Sequence, residues 1–152
     1  MEGMSATMLQ APPAAHALRA GLYNRESQMA SKADRARARS VEQQNEANAG
    51  AAELNGWAVT ETYRDPGLSA SRFAGARGGR NRLDYRRALA DVKAGRIDVL
   101  VLWESSSGDR ELESWAHLLN ACRARGVKVH VTQHGRTYDL RNARDWRVCR
   151  PS

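Results

Sequence analysis

Five consecutive residues, Tyr23-Asn24-Arg25-Glu26-Ser27, combine a hydroxyl and a guanidinium at a spacing suited to chemistry on a phosphate ester. In extended backbone the side chains alternate, so Tyr23, Arg25 and Ser27 leave on one side. The Ser hydroxyl could attack phosphorus while the guanidinium neutralises phosphate charge and helps the hydroxyl lose its proton. A surface Ser two residues from an Arg is also common in solvated turns, so the triplet alone leaves both readings open.

Other reactive side chains point elsewhere. His130 and His134 flank a strand end with no carboxylate or Cys at ligand spacing, which argues against a metal. His117 falls in a helical stretch and reads as a partly exposed helix residue. Cys122 and Cys149 are the only cysteines and form no C-x-x-C pair, which argues against structural zinc and a disulfide framework. Neither a G-x-G-x-x-G nor a Walker-type loop follows the first strand, so no nucleotide cofactor is expected. Residues 1–19 lack the basic start and apolar run of a signal peptide, and no segment approaches the ~20 apolar residues of a membrane helix. These features together predict a reduced, cytoplasmic protein with no membrane partner.

The chain has 152 residues, room for one α/β domain. With a single Phe, the core must be packed by Ala, Leu, Val and Trp. The formal net charge is +7, and 21 of the 24 basic residues are Arg, which suits a polyanionic partner gripped by planar donor forks. A GC-rich coding sequence would give the same Arg and Ala bias, so composition alone does not choose between the two.

The elements that must carry these residues follow in order. Residues 19–24 read as a short first strand, and 28–39 as a basic loop holding Lys32, Arg35, Arg37 and Arg39. Ser40 and Gln43 have the form of a capping box opening a helix over 41–55, stopped by Gly56. Residues 57–63 alternate as a strand and 64–80 form a long loop. Tyr85, Ala88, Leu89 and Val92 make an apolar stripe on a helix over 82–94, closed by Gly95. Residues 97–103 are nearly all apolar, as in a central parallel strand. A second stripe, Leu112, Trp115, Leu119 and Cys122, predicts a helix over 111–125 before Gly126, and 127–132 reads as a strand. Trp103 and Trp115 are read as core rather than base-stacking platforms, and Trp57 as packing. Alternating strands and helices imply a mainly parallel sheet of about four strands between helical layers. Functional groups in such sheets collect at the carboxyl ends of strands, here just after Asn24 and just after Trp103.

Several motifs in this order resemble the serine recombinases (resolvases and invertases). Tyr-x-Arg-x-Ser at 23–27 resembles their nucleophile motif, and Ser40-Val41-Glu42-Gln43-Gln44 their S-(hydrophobic)-x-x-Q helix start. Asp65-Pro66-Gly67-Leu68-Ser69-Ala70-Ser71 is similar to their D-x-G-x-S-(A/G)-S loop, and Arg82 to the arginine opening the next helix. The run from Arg96 through Trp103 and Glu104 resembles the strand feeding an arginine-rich catalytic turn. Gly135-Arg136-Thr137-Tyr138-Asp139-Leu140 resembles a signature of the large serine integrases of actinomycetes and their phages. The match spans about residues 19–147.

The resemblance implies a three-layer resolvase-like catalytic domain that recombines DNA at specific sites without metal or nucleotide. Ser27 would be the nucleophile and would form a phosphoserine link. Arg25, Arg82 and Arg110 would stabilise the phosphate, Gln44 would assist in positioning, and Tyr23 would pack and orient. Lys32, Arg35, Arg37 and Arg39 are the candidate DNA contacts outside that centre. Family members carry an Arg where Ser107 stands; Ser106 resembles the integrase branch. Replacing that Arg removes a full charge and up to five donors, so an impaired enzyme is expected. The expected organisation is a leader over 1–17, the catalytic domain over 18–147, and a non-homologous or truncated tail over 148–152 that shows no helical pattern. Family members form oligomers through a long helix after this domain, and that helix is not seen here. A prophage or mobile element is the expected setting. The competing reading is a non-enzymatic module of the same fold that binds DNA weakly or joins and inhibits an intact recombinase. A third, RNA binding by the Gly/Arg run at 75–80, rests on one short tract.

Overall fold

The computed structural model describes residues 17–25, 40–65, 83–104 and 112–150. Five strands and four helices lie along them, alternating as far as β4: β1 (Arg19–Arg25), α1 (Val41–Leu54), β2 (Ala58–Asp65), α2 (Leu83–Ala94), β3 (Val99–Leu102), α3 (Leu112–Arg125), β4 (Lys128–Val131), β5 (Arg136–Tyr138) and α4 (Ala143–Cys149). The helix boundaries have local causes. At the start of α1 the Ser40 hydroxyl accepts from the Gln43 amide (3.1 Å), and the Gln43 side chain accepts from the Ser40 amide (3.0 Å). At its end Gly56 takes a left-handed φ of 74°, so its amide reaches the Glu53 carbonyl and the Trp57 amide the Ala52 carbonyl. A side chain would be strained there, which is why a glycine closes the helix. The same pair of bonds ends α2 at Gly95 and α3 at Gly126.

The strands form one sheet in the order β2-β1-β3-β4-β5, parallel except for β5, which runs antiparallel to β4. The expected α/β class is therefore present, with one more strand than the four anticipated. That fifth strand is only three residues long and is joined to β4 by a turn at residues 132–135, closed by bonds from His134 to Val131 and Gly135 to Thr132.

Alternation along the strands divides the core in two. Ala20, Leu22, Val99 and Val101 face α1 and meet Ala52, with Ala49 and Trp57 at the margin. Tyr23, Leu100, Leu102, Val129 and Val131 lie on the opposite face, packed by Ala88 and Val92 of α2 and by Trp115, Leu118, Leu119 and Cys122 of α3. β3 is buried at every position, as its unbroken apolar run requires. Beneath α2, the buried Asp91 accepts from the Tyr63 hydroxyl (2.7 Å) and from Arg96 (2.9 Å). Burial, then the bond to Asp91, pushes the Tyr63 phenol well above its usual range.

The expectation of no helical pattern over 148–152 is corrected: α4 continues to Cys149, which is buried in the larger core. Asn142 caps this helix, accepting from the amides of Arg144 (2.9 Å) and Asp145 (3.2 Å). The Cys149 carbonyl accepts from the Trp115 indole (3.3 Å). Both cysteines are free, and burial raises their thiols to about 12 at Cys122 and about 11 at Cys149, so neither is a nucleophile near neutral pH. Among the described residues no helix is long and apolar enough to cross a membrane.

Candidate active site

The chain leaves β1 to one side to make β2, then crosses back to place β3 on the other side of β1. The helices that follow β1 and β3, α1 and α3, lie on opposite faces of the sheet, and between such strand ends open parallel sheets leave a crevice. A pocket lies there, lined by Tyr23 and Arg25 from β1, Gln44 from α1, Leu102, Trp103 and Glu104 at the end of β3, and Trp115 from the first turn of α3.

Specific interactions fix the β1 side of the pocket. Gln44 is buried and grips the Arg25 peptide from both sides: its Oε1 accepts from the Arg25 amide (3.0 Å), and its Nε2 donates to the Arg25 carbonyl (2.7 Å). A side-chain amide here takes the place of a neighbouring strand and holds the backbone from which Arg25 projects. Gln44, expected to assist in positioning, makes both of these bonds to backbone. Tyr23 is buried and its hydroxyl donates to the buried carboxylate of Asp65, at the end of β2. The two residues are 42 positions apart in the chain.

Behind the pocket runs a chain of buried amides that the sequence reading missed. Asn24 donates to Asn45 (2.9 Å), Asn48 donates to Asn24 (3.0 Å), and the Thr132 hydroxyl donates to Asn48 (2.7 Å). This ties the end of β1 through α1 to the residue after β4. The signal was present: Val41, Gln44, Asn48 and Ala52 share one face of α1, and that face is buried. Two amides on a buried helix face need partners, and Asn24 is the polar residue in the buried run of β1.

Trp115 is core, as expected. Trp103 is not: it is only partly buried and stands in the pocket wall beside Arg25. His117 is exposed on α3. His130 is buried edge-on to Trp57, with ring centroids 5.3 Å apart and Nδ1 2.8 Å from the Thr137 hydroxyl. Burial lowers its pKa. His134 pairs with the Tyr138 hydroxyl (2.9 Å). Among the described residues no three His, Cys, Asp or Glu side chains cluster as metal ligands. Tyr23, Arg25 and Gln44 are therefore brought together. Ser27, Arg82, Ser106, Ser107 and Arg110, with Lys32, Arg35, Arg37 and Arg39, lie outside the described residues.

Comparison with known proteins agrees with this architecture. The family model described as "Resolvase, N terminal domain" matches residues 20–147. Among solved structures, the N-terminal catalytic domain of TP901-1 integrase superposes with a TM-score of 0.58 at 16% identity, covering 84% of this chain and 86% of that one. The C-terminal catalytic domain of ISC1926 TnpA, an IS607-like serine recombinase, gives a TM-score of 0.50 at 23% identity, covering 76% of this chain and 70% of that one. A search of the curated proteins finds no match. With that family model spanning most of its length and the solved structures sharing its fold, the chain belongs to the resolvase N-terminal domain family.

Proposed function

We propose that this domain breaks and rejoins DNA at specific sites through a covalent link to Ser27. The observation that carries the reading is the convergence of Tyr23, Arg25 and Gln44 at the switch-point pocket, with Ser27 two residues beyond Arg25. Ser27 Oγ bonds to phosphorus, one backbone P–O bond breaks, and the departing deoxyribose oxygen takes a proton. The phosphoserine ester keeps the bond energy, and attack by a deoxyribose hydroxyl reverses the step on a new strand. Arg25, Arg82 and Arg110 stabilise the growing negative charge. Gln44 keeps Arg25 aimed by holding its peptide, and Tyr23 braces the same strand end against Asp65. No metal or nucleotide enters these steps. The basic stretch holding Lys32, Arg35, Arg37 and Arg39 contacts flanking phosphates.

Ser107 makes the natural chain slow. Restoring a guanidinium by Ser107→Arg raises the rate of adduct formation by about 10²–10³, the usual effect of one preorganised donor. The test incubates the purified chain and the Ser107→Arg form with a nicked duplex library, then looks for a protein–oligonucleotide adduct on a denaturing gel. Mass spectrometry should place the adduct on Ser27, and Ser27→Ala should abolish it. No adduct from either form, or an adduct that survives Ser27→Ala, overturns the reading.

A further inference from the structure

Arginines are concentrated on the surface of α4 and the neighbouring end of α3. Arg144, Arg147 and Arg150 are exposed along α4 and its cap, and Arg123 lies over the Trp146 ring, 4.7 Å from its centroid. The acidic residues of this surface are engaged elsewhere: Asp145 with Arg136 (3.7 Å) and the Asp139 amide, and Asp139 with Arg141 (3.2 Å). Arg123, Arg144, Arg147 and Arg150 have no acidic partner among the described residues. Carboxylates beside exposed arginines would partly neutralise them. A row left without them presents its donor forks to an outside anion.

The row also has a direction. Trp146, in the middle of α4, meets Arg123 in the last turn of α3, whereas Cys149, at the end of α4, accepts from Trp115 in the first turn of α3. α4 therefore runs back along α3 toward the pocket that Trp115 shares with Arg25. We infer that Arg123, Arg144, Arg147 and Arg150 form a phosphate track, along which the backbone of a DNA duplex lies as it enters the Arg25 pocket. The inference rests on the proposed function for its ligand and adds a binding surface to it. Trp146 and Cys149 of α4 pack against the larger core, so this helix has no free apolar face to sink into a bilayer, which favours duplex over an anionic lipid surface.

The test measures duplex affinity by fluorescence anisotropy as NaCl is raised. Each phosphate contact contributes about 0.9 to the slope of log K against log salt. The double variant Arg144→Gln/Arg147→Gln is compared with Arg86→Gln/Lys93→Gln, which removes the same charge from α2, and circular dichroism confirms that both are folded. The α4 variant should flatten the slope by about 1.8, and the α2 variant should leave it unchanged. Equal effects of the two doubles, or no effect at α4, overturn the track. So does α4-dependent binding to phosphatidylserine vesicles without α4-dependent binding to duplex. The Ser27 adduct is read separately. An intact α4-dependent slope without adduct tells against the chemistry alone, and an adduct with an α4-independent slope tells against the track alone.

Discussion

Buried side-chain amides hold the end of β1 from which Arg25 projects. Asn48 is fully buried and serves as donor to Asn24 and acceptor from Thr132. Leucine has similar bulk but neither polar atom, so Asn48→Leu leaves the Thr132 hydroxyl without its acceptor and the Asn24 carbonyl without its donor. Each buried polar group left unmet costs about 1–3 kcal/mol, so urea unfolding should show a loss of about 2–5 kcal/mol. A loss below 1 kcal/mol would show that the amide chain is not holding α1 to the sheet. His130 sets a pH dependence at the same scale. Its folded pKa lies below the ordinary 6.5 because burial disfavours the charged ring, so the unfolded chain binds more protons. Stability from this group is complete above about 6.5 and is lost as the pH falls through and below it. A His130→Phe variant should show a flatter stability profile between pH 7 and 5 than the natural chain.

Elements in this fold are held by close approaches as much as by propensity. Gly21 sits in β1 where its register against β2 shifts, under the Tyr63 ring. A Cβ there would lie 2.9 Å from Tyr63 Cε2 and 3.1 Å from Ile97 Cδ1. Tyr63 cannot swing away freely, because its hydroxyl is bound to Asp91 and Arg87 lies 4.6 Å from its ring centroid. Gly21→Ala should therefore cost about 1–3 kcal/mol, seen as a lowered Tm, although alanine favours most secondary structure more than glycine does. An unchanged Tm would mean that β2 and α2 shift without penalty. Hydrogen bonds secure both ends of β1, from the Arg19 amide to Asp98 (2.8 Å) at its start and by Gln44 across the Arg25 peptide at the pocket.

Across the whole molecule the two cores share one sheet. β3 contributes Val99 and Val101 to one and Leu100 and Leu102 to the other, so neither layer can leave without exposing the same strand. Unfolding should then be a single transition, with far-ultraviolet circular dichroism and tryptophan fluorescence following the same urea curve. Fluorescence changing first would show that the α3–α4 side, with Trp115 and Trp146, opens independently. The switch-point arrangement is a whole-molecule property as well. Residues from β1, α1, β3 and α3 meet in one pocket only because β2 and β3 flank β1 on opposite sides.

Several features could be read from the sequence because their causes are local. The Ser40–Gln43 capping box, the glycines closing three helices, the buried run of β3 and the stripes on α2 and α3 each depend on residues a few positions apart. Tyr23, Arg25 and Gln44, singled out by chemical type, line the pocket at the carboxyl end of β1. β5 and α4 escaped for the same physical reason in reverse. A three-residue strand and a seven-residue helix have too little intrinsic signal to stand alone, and exist because β4, Trp115 and the core pay the cost of ordering them. Strand order, the Tyr23–Asp65 bond and the link from Thr132 to Asn48, 84 residues apart, were decided by tertiary structure. Such contacts form between segments whose separation along the chain carries no periodic pattern, so only folding brings their partners together.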